Sequence, residues 1–182
     1  MVARKQQVFT TEQVTRLLGL TAKKDEWRVI TFAQGKEYGI KPSISGAAGS
    51  GSRRLYDVED VCQFALALRL LETGLRSKEI GKVLGQLRKR RKLSTNLKLG
   101  EREARQLYIA IVREPETGKR LGEKRYQWVS FAEPWELEDI LRDVIAKRAK
   151  RENCDVIMVP VGLMFLELRQ RLEQEEKKTR GE

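Results

Sequence analysis

The tightest constraint on the fold lies in residues 10–30, where one short helical period is stopped and another begins almost at once. Thr10 and Gln13 are spaced as a capping box, and Val14, Leu17 and Leu18 form one apolar face behind them. Gly19 supplies a left-handed stop, which limits the first helix to about two turns. Thr21 is then a good N-cap for a second helix over 22–30. That helix offers Lys23, Lys24 and Arg28 to phosphates or base edges, with Trp27 and Ile30 to anchor it.

Two short helices around a glycine turn satisfy the requirement of a helix-turn-helix. Downstream, Gly39-Ile40-Lys41-Pro42-Ser43-Ile44-Ser45 and Arg53-Arg54-Leu55-Tyr56 read as extended pieces flanking the small-residue loop 46–52. A hairpin whose return strand begins with two arginines is a wing, suited to run along a phosphate backbone. A flexible linker would account for the glycines and leave the apolar and basic flanks without a reason.

Asp57, with Asp60 three residues on, caps a third helix whose apolar body runs from Val58 to Leu71 and stops at Gly74. A fourth helix begins near Arg76-Ser77 and carries Ile80, Val83, Leu84 and Leu87 as one buried stripe. It closes on Arg88-Lys89-Arg90-Arg91-Lys92, more cations than the helix dipole calls for.

Charge now discriminates between functions. The 182-residue chain carries a formal +11, and residues 1–92 hold 19 of the 37 basic and 9 of the 26 acidic groups, so the first half is +10 and the second +1. A basic excess confined to one segment points to nucleic acid before membrane, with a solubilising surface as the plainer alternative. The chain has no histidine, which removes Ser-His-Asp, Cys-His and His-ligated metal chemistry. Its two cysteines, Cys62 and Cys154, form no CxxC pair and no disulfide framework, so no metal and no cofactor is expected. No apolar run approaches the roughly 18 residues needed to cross a bilayer, and a secretory pattern is lacking at the N-terminus. A reducing, cytoplasmic compartment is the expectation.

The order helix, turn, helix, "GIKPS", loop, "RRLYDVEDV", apolar helix, "LETGLRSKEIGKVL" resembles the winged helix-turn-helix of the MerR family of transcriptional regulators over about residues 8–90. The resemblance implies that the second helix enters the major groove, that the wing and the arginine-tyrosine strand lie against the backbone, and that a homodimer distorts promoter DNA. Carried over by position, it puts Lys23, Lys24 and Arg28 on the recognition helix and Arg53, Arg54 and Tyr56 on the wing. Thr11, Thr21, Trp27 and Lys41 complete the candidate DNA-binding set. Two departures stand out. The stretch 29–38 is longer than the family's arginine-tyrosine-tyrosine segment and differently composed, and residues 94–100 interrupt the helical pattern where the family has one long dimerisation helix.

The second half reads as a small α+β unit, so the chain as a whole is expected to be mainly α with small β, divided as 1–92 and 93–182. A helical turn or two over 101–106 leads into strands over 107–112 and 126–131. A helix from Pro134 has acidic residues at its start and basic ones at its end, followed by a strand over 156–161 and a last helix over about 162–178. Dimerisation, sensing and contact with another protein are all open to this half. Tyr126, Trp128 and Trp135 could line a pocket or be core. The leucine seam of the last helix, through Leu163, Phe165, Leu166, Leu168 and Leu172, suits a second copy or its own domain.

The leading expectation is a sequence-specific DNA-binding transcriptional regulator acting as a homodimer on an inverted repeat in double-stranded DNA. Contact with RNA polymerase and a small-molecule effector are left open. An architectural or accessory factor, excisionase-like or partition-like, fits the same winged core. RNA binding is disfavoured by the lack of an aromatic RNP-like strand in the basic half, and an enzyme by the lack of histidine, phosphate loop and metal site.

Overall fold

The computed structural model describes residues 7–20, 29, 31–32, 37–40, 54–113, 126–132, 136, 138–139, 142 and 155–180. In chain order these give β1 (Val8–Phe9), α1 (Thr11–Leu17), β2 (Tyr56–Asp57), α2 (Val58–Glu72), α3 (Ser77–Arg90) and a 3-10 helix (Leu93–Lys98). There follow α4 (Glu101–Arg105), β3 (Tyr108–Arg113), β4 (Tyr126–Ala132), β5 (Asp155–Pro160) and α5 (Gly162–Arg180). The fold is mainly helical with two small sheets, as the sequence leads one to expect.

Local signals set the helix ends. Thr10 Oγ1 accepts from the Gln13 amide at 3.3 Å and the Gln13 side chain returns the bond to the Thr10 amide at 2.9 Å, a complete capping box. Asp57 and Asp60 repeat the device for α2, at 2.9 and 3.2 Å. Gly74, at φ 80°, follows the end of α2 in the left-handed conformation that glycine adopts without strain. The stripe of α3 is buried at Ile80, Val83, Leu84 and Leu87.

The interruption after α3 is a 3-10 helix. Both carboxylate oxygens of Glu59, in the first turn of α2, accept from the backbone there, Leu93 N–H at 2.7 Å and Ser94 N–H at 2.9 Å. A carboxylate at these otherwise unpaired donors satisfies the helix start.

The three C-terminal strands form an antiparallel sheet in the order β4-β3-β5, so β3 is central and pairs on both edges. Ile109 faces Phe131 on one side and Val159 on the other. From β5 the chain turns sharply into α5: the Val161 and Gly162 amides both donate to the Leu107 carbonyl, at 3.1 and 3.2 Å. Glu136, Glu138, Asp139 and Arg142 are helical, and the rest of the helix expected from Pro134 lies outside the described residues.

One cluster of buried side chains draws on both sides of residue 92. Val14, Leu17, Val61, Phe64 and Leu84 belong to it together with Leu93, Leu107, Ile109, Val159 and Phe165. The seam of α5 is used within the chain: Phe165, Leu168 and Leu172 are buried, while Leu163 remains 52% exposed.

Candidate nucleic-acid interface

The helix-turn-helix expected from the sequence begins at α1. At its C-terminal end the Leu20 amide reaches back to Thr15 O at 3.0 Å and the Gly19 amide to Arg16 O at 2.9 Å, the paired bonds of a Schellman turn. Gly19 sits at φ 72°, where any side chain is strained. The turn expected from the glycine is therefore present. Thr21, Lys23, Lys24, Trp27 and Arg28, the expected reading face, lie outside the described residues.

Val29, Thr31 and Phe32 are helical, and the last two lie past Ile30, where the sequence pattern places the end of the second helix. Val29 and Phe32 are buried. The Phe32 ring meets Tyr38 edge-on at 4.5 Å between centroids and lies 6.3 Å from Phe64. Where described, the stretch in which this chain departs from the MerR pattern thus packs Phe32 between Tyr38 and Phe64 of α2.

The wing candidates divide. Lys41 and Arg53, with all of residues 41–53, lie outside the described residues. Arg54 is half-buried just before Leu55. Just after it β2 pairs antiparallel with β1, Val8 opposite Asp57 and Phe9 opposite Tyr56. Thr11 is the half-buried first residue of α1, and its carbonyl accepts the Thr15 hydroxyl at 2.8 Å.

Tyr56 corrects an expectation. The resemblance places it against the DNA backbone, but its relative exposure is 0%, with the ring edge-on to Phe64 at 5.3 Å. Alternation explains this: in a strand whose Asp57 turns toward the α2 cap, the neighbouring side chain faces the opposite way, into the core. Its hydroxyl is buried without a hydrogen-bond partner among the described residues. An orphaned buried hydroxyl costs about 1–3 kcal/mol, so Tyr56→Phe is expected to leave thermal stability equal or raised by about 1 kcal/mol. DNA affinity should be unchanged. A gel-shift titration showing a loss of affinity in Tyr56→Phe would return this hydroxyl to the interface.

By residue type Arg88 reads as one more cation of the run 88–92. It is an internal brace: Nη1 donates to the Gly39 carbonyl at 2.9 Å and to Gln63 Oε1 at 3.0 Å, and Nε to Leu84 O at 3.2 Å. Burial pulls its guanidinium below the usual arginine range, opposed by the nearby Glu59 and Asp60 charges. The sequence does carry a signal for this, because Ile80, Leu84 and Arg88 lie on one i, i+4 row and Arg88 continues the buried stripe. Lys89, Arg90, Arg91 and Lys92 are exposed beyond it.

The position at which α3 meets residues 37–38 is close-fitting. A Cβ on Gly81 would lie 1.9 Å from the Glu37 carbonyl oxygen, and the Ser77 hydroxyl donates to the Glu37 carboxylate alongside. Cys62 is buried on α2, and burial, with Glu59 and Asp57 adding, pushes its thiol well above the ordinary range, so it packs as a small apolar side chain. Among the described residues no group of three or more Cys, Asp or Glu side chains is placed to hold a metal ion. No helix among them is long and apolar enough to cross a membrane.

No protein-family profile matches the chain. Over 51 residues it is 43% identical to a protein of Mycobacterium bovis described as an uncharacterized HTH-type transcriptional regulator. Proteins from two strains of Mycobacterium tuberculosis, described in the same words, match to the same extent. The match takes in 28% of this chain and spans 23% of each relative. Over that stretch the chain is similar to HTH-type transcriptional regulators.

Proposed function

We propose that this chain is a DNA-binding transcriptional regulator of MerR-like type, a homodimer that reads an inverted repeat in double-stranded DNA and distorts promoter DNA. The observation that carries this reading is α1 with its Gly19 turn, set on a core that also anchors Val29 and Phe32, in the half of the chain that holds +10 of the charge. The 43% identity over 51 residues to HTH-type regulators supports it. In this reading Lys23, Lys24 and Arg28 address base edges and phosphates, with Trp27 as anchor. Thr11 and Thr21, at helix starts, and Lys41, Arg53 and Arg54, on the wing, hold the phosphate backbone. The second half serves dimerisation, signal reception or contact with RNA polymerase.

Selection of DNA by the purified protein across a salt series, with the mass of the complex measured, tests the reading. A two-fold symmetric motif bound by two chains is the expected result. Arg53→Glu with Arg54→Glu should weaken binding to every sequence and lower the slope of log K against log salt by about one for each phosphate no longer neutralised. Lys23→Ala or Lys24→Ala should instead relax preference at one or two positions, by about 1–3 kcal/mol each. Identical behaviour of the two variant classes would sink the groove assignment. A steep salt slope with no enriched motif would replace the regulator by an architectural DNA-binding factor.

A further inference from the structure

The second half of α5 is turned onto α1. Three of its side chains, Arg171, Glu175 and Glu176, meet α1 and the residues around it. Glu175 Oε1 receives Arg16 Nη2 at 2.9 Å, while Glu12 holds Nη1 of the same guanidinium at 2.7 Å. Glu176 Oε1 accepts from Gln7 Nε2 at 2.6 Å, just before β1. Arg171 Nη1 donates to the Leu17 carbonyl at 3.2 Å.

The last contact completes the turn. In the Schellman arrangement Val14 O, Thr15 O and Arg16 O are taken by the Leu18, Leu20 and Gly19 amides. Leu17 O comes next in line, and the guanidinium supplies a donor and a positive charge at the end of the helix where both are favourable. Arg171 also lies directly against Gly19: a Cβ there would come within 2.7 Å of Nη1. Glycine at this position thus answers two demands, the left-handed backbone and the room for an arginine from the far end of the chain. The ion pair that Arg171 makes along its own helix, with Glu167, is loose at 3.7 Å. The guanidinium is held more closely by the turn than by its own helix.

We propose that α5 is a working part of the reading head, with Arg171 as the positioning residue that caps α1 and fixes the Gly19 turn from which the expected second helix departs. This rests on the helix-turn-helix reading above. The leverage is geometric: a change of about 10° at the turn displaces the far end of a helix of about ten residues by about 2–3 Å. Contacts to base edges have no such tolerance. Arg171 therefore acts on DNA through the turn.

The test uses the full chain, with Arg171→Ala, Arg171→Lys and Glu175→Gln. Two readouts are taken: affinity for the selected site across a salt series, and hydrogen exchange of the Gly19 and Leu20 amides without DNA. Arg171→Ala should weaken binding about three- to tenfold with the wild-type salt slope, and speed exchange at the two amides by a similar factor. Arg171→Lys should recover part of both, and Glu175→Gln, which keeps Arg171, should move both in the same direction by less. Unchanged exchange and affinity in Arg171→Ala would overturn the proposal. A salt slope lowered by about one would overturn it differently, by making Arg171 a phosphate contact. If the wild-type chain selected no DNA, the regulator reading would fall, while amide exchange in the same variants would still decide whether Arg171 caps the turn.

Discussion

Phe64→Ala is expected to lower the free energy of unfolding by about 3–5 kcal/mol, the range for removing a fully buried phenylalanine. Phe64 is fully buried and stands beside two aromatic partners, Tyr56 on β2 and the helical Phe32. Truncation leaves a cavity that these two rings line, and neither can follow without giving up its other contacts. For a chain of this size each kcal/mol is worth about 2–4 °C, so the melting temperature should fall by about 6–20 °C. Thermal and urea melts followed by circular dichroism would measure it. A loss below about 1 kcal/mol would mean that the site collapses freely and that Phe64 is not the post on which the head rests.

Gly81→Ala and Gly85→Ala should change stability in opposite directions on one helix. Alanine in place of glycine inside a helix is normally worth about 1 kcal/mol in its favour. At Gly85 no atom comes within 4 Å of the added carbon, so that gain should appear in full. At Gly81 the same carbon would sit 1.9 Å from the Glu37 carbonyl oxygen and 3.3 Å from the Tyr38 Cα. Both atoms belong to backbone, so relief requires α3 to retreat from residues 37–38. The net change at Gly81 should be destabilising by about 1–3 kcal/mol, with Arg88 losing its reach to Gly39. Equal shifts of the two unfolding midpoints would show that α3 is not pressed against residues 37–38.

Much of the fold is legible in the sequence because its signals are local. Thr10 with Gln13, Asp57 with Asp60, and the glycines at 19 and 74 mark helix ends through bonds spanning three or four residues, and the structure has each of them. The stripe of α3 is legible for the same reason. The pairing of β1 with β2 is not: each strand is two residues long, too short for an alternating period, and its partner lies far along the chain. The seam of α5 shows which face is apolar and is silent on what covers it, since periodicity identifies a face and never a partner. At the candidate site the resemblance sets Tyr56 against the DNA backbone, whereas its position in a strand turns it into the core, and Arg88, one of the cations that close α3, continues a buried i, i+4 row.

The joint core has a consequence for how a message could cross this molecule. Leu93, Leu107, Ile109 and Phe165 are packed in the same interior as Val61 and Leu84, and Glu59 ties the chain down at the join. A signal received by the sheet therefore has no loose tether on which two bodies could swing. Close-packed interiors resist compression and pass displacement on from neighbour to neighbour. Any message reaching α1 would travel as a small, coordinated shift of side chains through solid packing, in the manner of a push rod.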